Sequence, residues 1–204
     1  MKLVPFYSAM WESNSYLLVD GTEAILIDAG VNAKDVMDQL QRENATLKHI
    51  LLTHGHFDHT VSVDALREAT GAKLSVHSAD AEMLTDAEKS ALYTFFGTRG
   101  SHKPADITLS DGDTIPFGNT TIRVIHTPGH SRGSVCYLAD NMLFSGDTLF
   151  DGGYGRCDLY GGDMTVLATS LGKLQTLDPN LTIYPGHGGS ALLGAALSNL
   201  FGLI

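Results

Sequence analysis

The stretch Thr53-His54-Gly55-His56-Phe57-Asp58-His59-Thr60 places four metal-ligating side chains within six residues. It follows an apolar run, His49-Ile50-Leu51-Leu52-Thr53, that reads as a buried strand. It precedes Val61 to Ala69, which reads as a short helix ended by Gly71. The cluster therefore sits on a strand-to-helix loop, where a rigid scaffold commonly carries functional groups. His54 and His56 can point the same way from an extended backbone, whereas Asp58 and His59, being neighbours, must diverge. Such a set suits two adjacent metal ions better than one. A solvated loop that happens to be rich in histidine is a poor account of it.

Around this loop the chain alternates strand and helix. Strands are expected at 2–7, 15–19, 24–28, 47–53 and 73–76, with a turn at Trp11 to Asn14 and a helix from Lys34 to Arg42. Ser78 to Phe96 reads as one helical stretch with Ser78 as its N-cap. Short strands follow at 107–109, 113–115 and 121–126, then a hairpin of Ser134–Leu138 and Asn141–Ser145 around Ala139-Asp140. A Gly-rich loop runs from 146 to 162. A helix over Thr165–Leu177, capped by Asp163, carries its apolar stripe on Val166, Leu167, Ser170, Leu171 and Leu174. A strand at 182–184 and an apolar tail, Leu192 to Ile204, complete the order. This is an α/β layered pattern with no linker and no internal sequence repeat, and one domain over residues 1–204 is expected.

Three more candidate ligands lie at the ends of expected strands, each in or beside a Gly-bearing turn: His130 (Thr127-Pro128-Gly129-His130), Asp147 (Ser145-Gly146-Asp147) and His187 (Pro185-Gly186-His187). Two divalent ions sharing a hydroxide need three or more protein ligands each. His54, His56 and His130 can serve one ion, and Asp58, His59 and His187 the other. Asp147, with two oxygens, is left to bridge. An all-N/O donor set fits zinc, and also iron or manganese. His49, His77 and His102 fall outside this pattern and read as surface or structural. His126 competes with His130, but the Pro128-Gly129 turn presents His130.

The spacing His-x-His-x-Asp-His at 54–59, followed by His130, Asp147 and His187, resembles the metallo-β-lactamase fold superfamily over about residues 3–190. The resemblance implies an αββα four-layer sandwich with a dinuclear metal site at one edge of two sheets. It also implies a supporting role for Asp28, an acid at a strand end, in holding a metal-site group in place. Gly155-Arg156-Cys157-Asp158 and Thr127-Pro128-Gly129-His130-Ser131 are similar to hydroxyacylglutathione hydrolases (glyoxalase II) and their short bacterial relatives. For Arg156 and Asp158 two roles stay open: a substrate-loop pair or an ion pair that fastens the loop. The resemblance implies hydrolysis of a thioester such as an S-2-hydroxyacylglutathione by hydroxide held between two ions, with Asp58 orienting the nucleophile and accepting its proton. A mononuclear-iron persulfide dioxygenase, or a hydrolase of another ester, lactone or phosphodiester, is the alternative.

Departures from the resemblance concern the substrate. Glyoxalase II carries a further helical domain with basic glutathione-binding residues, and no Lys or Arg follows Lys173 here. Zinc β-lactamases place Cys where Asp147 stands, which disfavours that activity. Among 204 residues the formal net charge is −10, so attraction to nucleic acid is not expected and a small-molecule substrate is. Cys136 reads as a buried small hydrophobe and Cys157 as a loop residue; two unpatterned cysteines make no disulfide framework. No segment approaches 18 continuous apolar residues, and the N-terminus lacks a secretory pattern, so a cytoplasmic protein free of the membrane is the expectation. The apolar tail leaves a homodimer open.

Overall fold

The computed structural model describes residues 1–10 and 12–201. Trp11 of the expected turn and residues 202–204 of the apolar tail lie outside them. Two six-stranded sheets are each built in chain order from edge to edge. The first holds β1 (Lys2–Tyr7), β2 (Asn14–Asp20), β3 (Glu23–Ile27), β4 (Thr46–Leu51), β5 (Lys73–His77) and β6 (Ile107–Leu109). The second holds β7 (Thr114–Phe117), β8 (Thr120–His126), β9 (Val135–Ala139), β10 (Met142–Gly146), β11 (Thr182–Pro185) and β12 (Ala191–Leu192). Helices α1 (Ala33–Glu43) and α2 (Val63–Thr70) cover the first sheet, and α4 (Met164–Leu174) and α5 (Leu193–Phe201) the second. Between the halves lies α3 (Leu92–Phe96), a single short turn.

The four layers follow from strands that are apolar on both faces. In β2 and β3, Leu17, Val19, Ala24 and Leu26 pack toward the helices, while Tyr16, Leu18, Ile25 and Ile27 face the second sheet. In β9 the split is Cys136 toward α4 and α5, and Val135, Tyr137 and Ala139 toward the first sheet. Cys136 is fully buried, as its apolar run predicts, and burial pushes its thiol up to about 11. A period of two serves two cores at once, so a one-residue slip would exchange them.

Direction of strands decides where the site lies. β3 and β4 are parallel, as are β10 and β11, and β8 runs the same way as β10 because each pairs antiparallel with β9. Their C-terminal ends gather at one edge of the sandwich, and every candidate ligand follows one of them.

Two expectations change. Ser78 to Phe96 is not one helix: Ser78–Thr85 is 3-10, and α3 forms separately. Asp86 breaks the run by accepting from the amides of Glu88 and Lys89, and Ala91 takes a left-handed φ of 66°. The cap of the first part is His77, whose Nδ1 accepts from the Ala79 amide at 3.3 Å, rather than Ser78. Helix α4 starts on its Asp163 cap, as expected, but stops at Leu174 and leaves Val166 38% exposed rather than in the core. Among the described residues no helix is long and apolar enough to cross a membrane.

Candidate metal centre

The loop after β4 opens on Thr53, whose backbone amide and hydroxyl both donate to Asp28 at 2.8 Å. Asp28 sits just past β3 in a left-handed conformation (φ 56°), an uncommon state for a residue with a side chain. That conformation turns its carboxylate back under the loop, where it also takes a hydrogen bond from His59 Nδ1 at 2.9 Å. Asp28 thus touches Thr53 and His59, the residues on either side of the His54–Asp58 stretch.

Hydrogen-bond partners fix which ring nitrogens are free. His59 donates through Nδ1 to Asp28, His130 through Nδ1 to the Arg156 carbonyl at 2.7 Å, and His187 through Nδ1 to the Glu12 carbonyl at 2.9 Å. Thr53 Oγ1 spends its proton on Asp28, so His54 Nδ1 donates to it at 3.1 Å. The Nε2 of each of these four rings is left with a lone pair.

Those lone pairs converge. His130 Nε2 lies 3.2 Å from His54 Nε2 and 2.8 Å from His56 Nδ1. His59 Nε2 lies 3.4 Å from His187 Nε2 and 3.5 Å from Asp58 Oδ2, which is 3.3 Å from His187 Nε2. Asp147 stands between the groups, with Oδ1 3.5 Å from His59 Nε2 and Oδ2 3.5 Å from both His130 Nε2 and His187 Nε2. The ligand atoms of His54/His56/His130, of Asp58/His59/His187 and of His54/His59/Asp147 each fall within 4.8 Å of one another. Acceptors aimed at acceptors at such distances repel unless a cation or a proton lies among them. Buried Asp147 Oδ1 has no hydrogen-bond partner. The residues therefore fit a pair of metal ions.

The charge balance differs between the two groups. Burial, reinforced by the neighbouring rings, pushes His54 and His56 well below the usual histidine range, which keeps them neutral as metal binding requires. Burial also opposes charge on His59, yet Asp58, Asp28 and Asp147 push it up to about 10. Burial resists ionisation of Asp58 too, but the neighbouring His59 and His187 rings hold its carboxyl far below the usual range. The field that holds a proton on this half would equally hold a cation.

Two glycines let the groups close. A Cβ at Gly186 would overlap Asp147 Oδ1 and crowd His59, and one at Gly155 would overlap the Asp147 carbonyl and crowd His130 Nδ1. Arg156 and Asp158 form a bidentate pair at 2.6 and 2.7 Å at the exposed rim, the loop-fastening arrangement. The remaining histidines stay outside: His126 stacks on His77 at 4.0 Å and bonds the Arg132 carbonyl, and His102 pairs with Asp64.

Sequence reasoning missed Asp80. Fully buried, it accepts from the amides of Gly55 (3.0 Å) and Gly133 (2.6 Å) and from Ser131 Oγ (2.6 Å), so it ties the His54–His56 loop to the turn that bears His130. It also missed Asn14 and Tyr16, which bond the Pro185 carbonyl at 3.0 and 2.7 Å and brace the His187 turn. Neither carries a local signal, because each acts on a partner far away in the chain. Above the ligands opens a cavity of about 270 Å³ whose walls include Phe57, Ala91, Phe95, Phe150, Leu159 and Arg156.

The sequence matches the Metallo-beta-lactamase superfamily over residues 10–187. Among solved structures similar to it, the BLEG-1 B3 metallo-beta-lactamase has 35% identity and a TM-score of 0.92, covering 98% of this chain and 99% of that one. TTHA1623, solved in a di-iron-bound form, has 32% identity and a TM-score of 0.82 over 94% of this chain and 96% of that one. A hydroxyacylglutathione hydrolase of Shewanella sp. (strain ANA-3) is 33% identical over 82% of this chain and 58% of its own length.

Proposed function

The chain belongs to the metallo-beta-lactamase superfamily, and from that premise we propose that it is a dinuclear metal-dependent hydrolase of thioesters. The observation that carries this reading is Asp147, whose two oxygens face both ligand groups. His54, His56 and His130 would hold one divalent ion and Asp58, His59 and His187 the other. Zinc is the expected metal, and the same donors accept iron or manganese. When bound, the ions supply a water that is nucleophilic at neutral pH and the Lewis acidity that polarises a carbonyl.

The residues of the chain supply orientation. Asp58 is ionised and lines the cavity, so it presents an acceptor that sets the direction of an attacking water. It is a weak proton acceptor, and a thioester demands least of it, because a thiolate leaves without being protonated first. In the reaction the water oxygen bonds to the carbonyl carbon, the C–S bond breaks with its electron pair going to sulfur, and a carboxylate, a thiol and one proton are released. Phe57, Phe150 and Leu159 line the cavity in which the carbonyl would sit.

The test is hydrolysis of S-D-lactoylglutathione and of simple thioesters by chelator-stripped protein, then after reloading with zinc, iron or manganese. Turnover should depend on metal, and Asp147→Ala should lower it at least about a hundredfold with far-ultraviolet circular dichroism unchanged. Full activity of metal-replete Asp147→Ala would sink the two-ion arrangement. The likeness to a B3 metallo-beta-lactamase at 35% identity favours a second reading, hydrolysis of a cyclic amide. A nitrocefin assay on the same preparations separates the two.

A further inference from the structure

The wall of the cavity faces whatever group a substrate carries next to its reacting carbonyl. Phe57, Phe95, Phe150 and Leu159 line the same cavity as Asp58, His130 and Asp147 and give that wall an apolar face. Phe57 and Phe95 touch at 5.8 Å between ring centroids. Among the described lining residues Arg156 is the one Lys or Arg. Its guanidinium is already committed: both ends of the fork bond Asp158, and its face lies 5.6 Å from the Phe95 ring. Glutathione carries two carboxylates and an ammonium, and this wall offers them no unpaired counter-charge. An uncharged apolar group would bury against three rings and an isobutyl group with no polar atom left unpaired.

One part of the wall belongs to a different element from the ligands. Phe95 is carried by α3, which buries none of its residues and is flanked by left-handed Ala91 (φ 66°) and Gly97 (φ 63°). Phe95 is 49% exposed, so its ring is held by the cavity neighbours rather than by a core. A change there alters the fit of a substrate while leaving the metal ligands in place.

Resting on the thioesterase reading of the same site, we infer that the substrate is a thioester whose acyl group is apolar and uncharged, aromatic or branched aliphatic, and that Phe95 is a specificity-determining residue of the acyl pocket. The substituent on the carbonyl carbon is one bond from the reacting atom and must pass this wall to react.

A matched series on one small uncharged thiol tests it with zinc-loaded protein: acetyl, phenylacetyl, D-lactoyl and succinyl thioesters, with S-D-lactoylglutathione alongside. We expect kcat/KM for phenylacetyl to exceed that for acetyl and for succinyl by about tenfold or more, and Phe95→Ala to cut that ratio to about threefold or less. Rates flat across the acyl series, or S-D-lactoylglutathione as the best substrate, overturn the inference while the hydrolase stands. No turnover of any thioester overturns the thioesterase reading itself. Calorimetric titration with phenylacetate against acetate reads the pocket without catalysis. We expect phenylacetate to bind about tenfold tighter and Phe95→Ala to erase the difference; equal affinities for wild-type protein overturn the inference.

Discussion

Asp80 Oδ1 accepts a hydrogen bond from the Gly133 amide at 2.6 Å across 53 residues of sequence. Through its other oxygen the same carboxylate takes the Gly55 amide and the Ser131 hydroxyl. One buried side chain thus sets the distance between His54 and His56 on the first half of the chain and His130 on the second. Burial raises its pKa, and the three donors work against that.

Replacing Asp80 by Ala strands the amides of Gly55 and Gly133 in the interior, while the Ser131 hydroxyl keeps Ser134 Oγ as a partner at 2.7 Å. Each buried unpaired donor costs about 1–3 kcal/mol, so Asp80→Ala should lose about 2 kcal/mol or more of stability in urea unfolding. Zinc affinity, read by competition with a chromogenic chelator, should fall about 10–100-fold, the usual effect of removing a group that orients ligands. Unchanged zinc affinity would show that the two loops find their spacing without it.

Metal removal should destabilise the fold, because converging lone pairs at 2.8, 3.2 and 3.4 Å are then left facing one another. At free zinc a hundredfold above its Kd, binding adds about 2.7 kcal/mol to the folded state. Scanning calorimetry should show a lower Tm after chelation, restored by zinc. A Tm indifferent to chelator and zinc would contradict the convergence.

Gly186→Ala should disable the centre without unfolding the chain. Its backbone is not in the left-handed region, so the substitution brings no conformational strain. The added methyl instead meets Asp147 Oδ1 and His59. Expected are a native circular dichroism spectrum and at least about a tenfold loss of zinc affinity; retained affinity would mean that Asp147 can withdraw at little cost.

His77 gives the fold a pH dependence separable from the metal. Burial, then the stacked His126 ring, pushes it down to about 4, with Asp111 and Asp113 opposing. An unfolded histidine titrates near 6.5. Between those values the unfolded state binds the proton and the native state does not, so stability is full above about pH 6.5 and falls as pH drops toward 4. The stability difference between wild type and His77→Asn, which keeps a capping oxygen, should shift by about 1–2 kcal/mol between pH 7 and pH 5 in favour of the variant. Parallel curves would place the origin of any acid loss elsewhere.

The metal loop was legible because its chemistry is local: four ligands in six residues need no tertiary knowledge. His130, Asp147 and His187 were legible because each follows a strand and sits by a glycine. The four layers were implied by the resemblance, and the apolar runs of β2, β3 and β9, which do not alternate with polar residues, supply the physical reason for them. Asp80 was not, since in sequence it lies in a polar stretch, Ser78-Ala79-Asp80-Ala81-Glu82, that looks like the start of a solvated helix. Its partners at 55, 131 and 133 exist only once both sheets have stacked. The break at Asp86 to Ala91 was hidden for a related reason: Ala is a strong helix former, and the left-handed turn at Ala91 is imposed by packing rather than propensity.

Each sheet is assembled in chain order, the first complete by Leu109 and the second by Leu192. Ligands from both are needed, and His187 comes near the end. On the ribosome, a chain that has emerged through Asp147, the residue after β10, already carries His54, His56, Asp58, His59 and His130 as well, yet cannot close the second group of donors. Completion of the full donor set is therefore a late event in the life of the nascent protein, and it requires that both halves have docked.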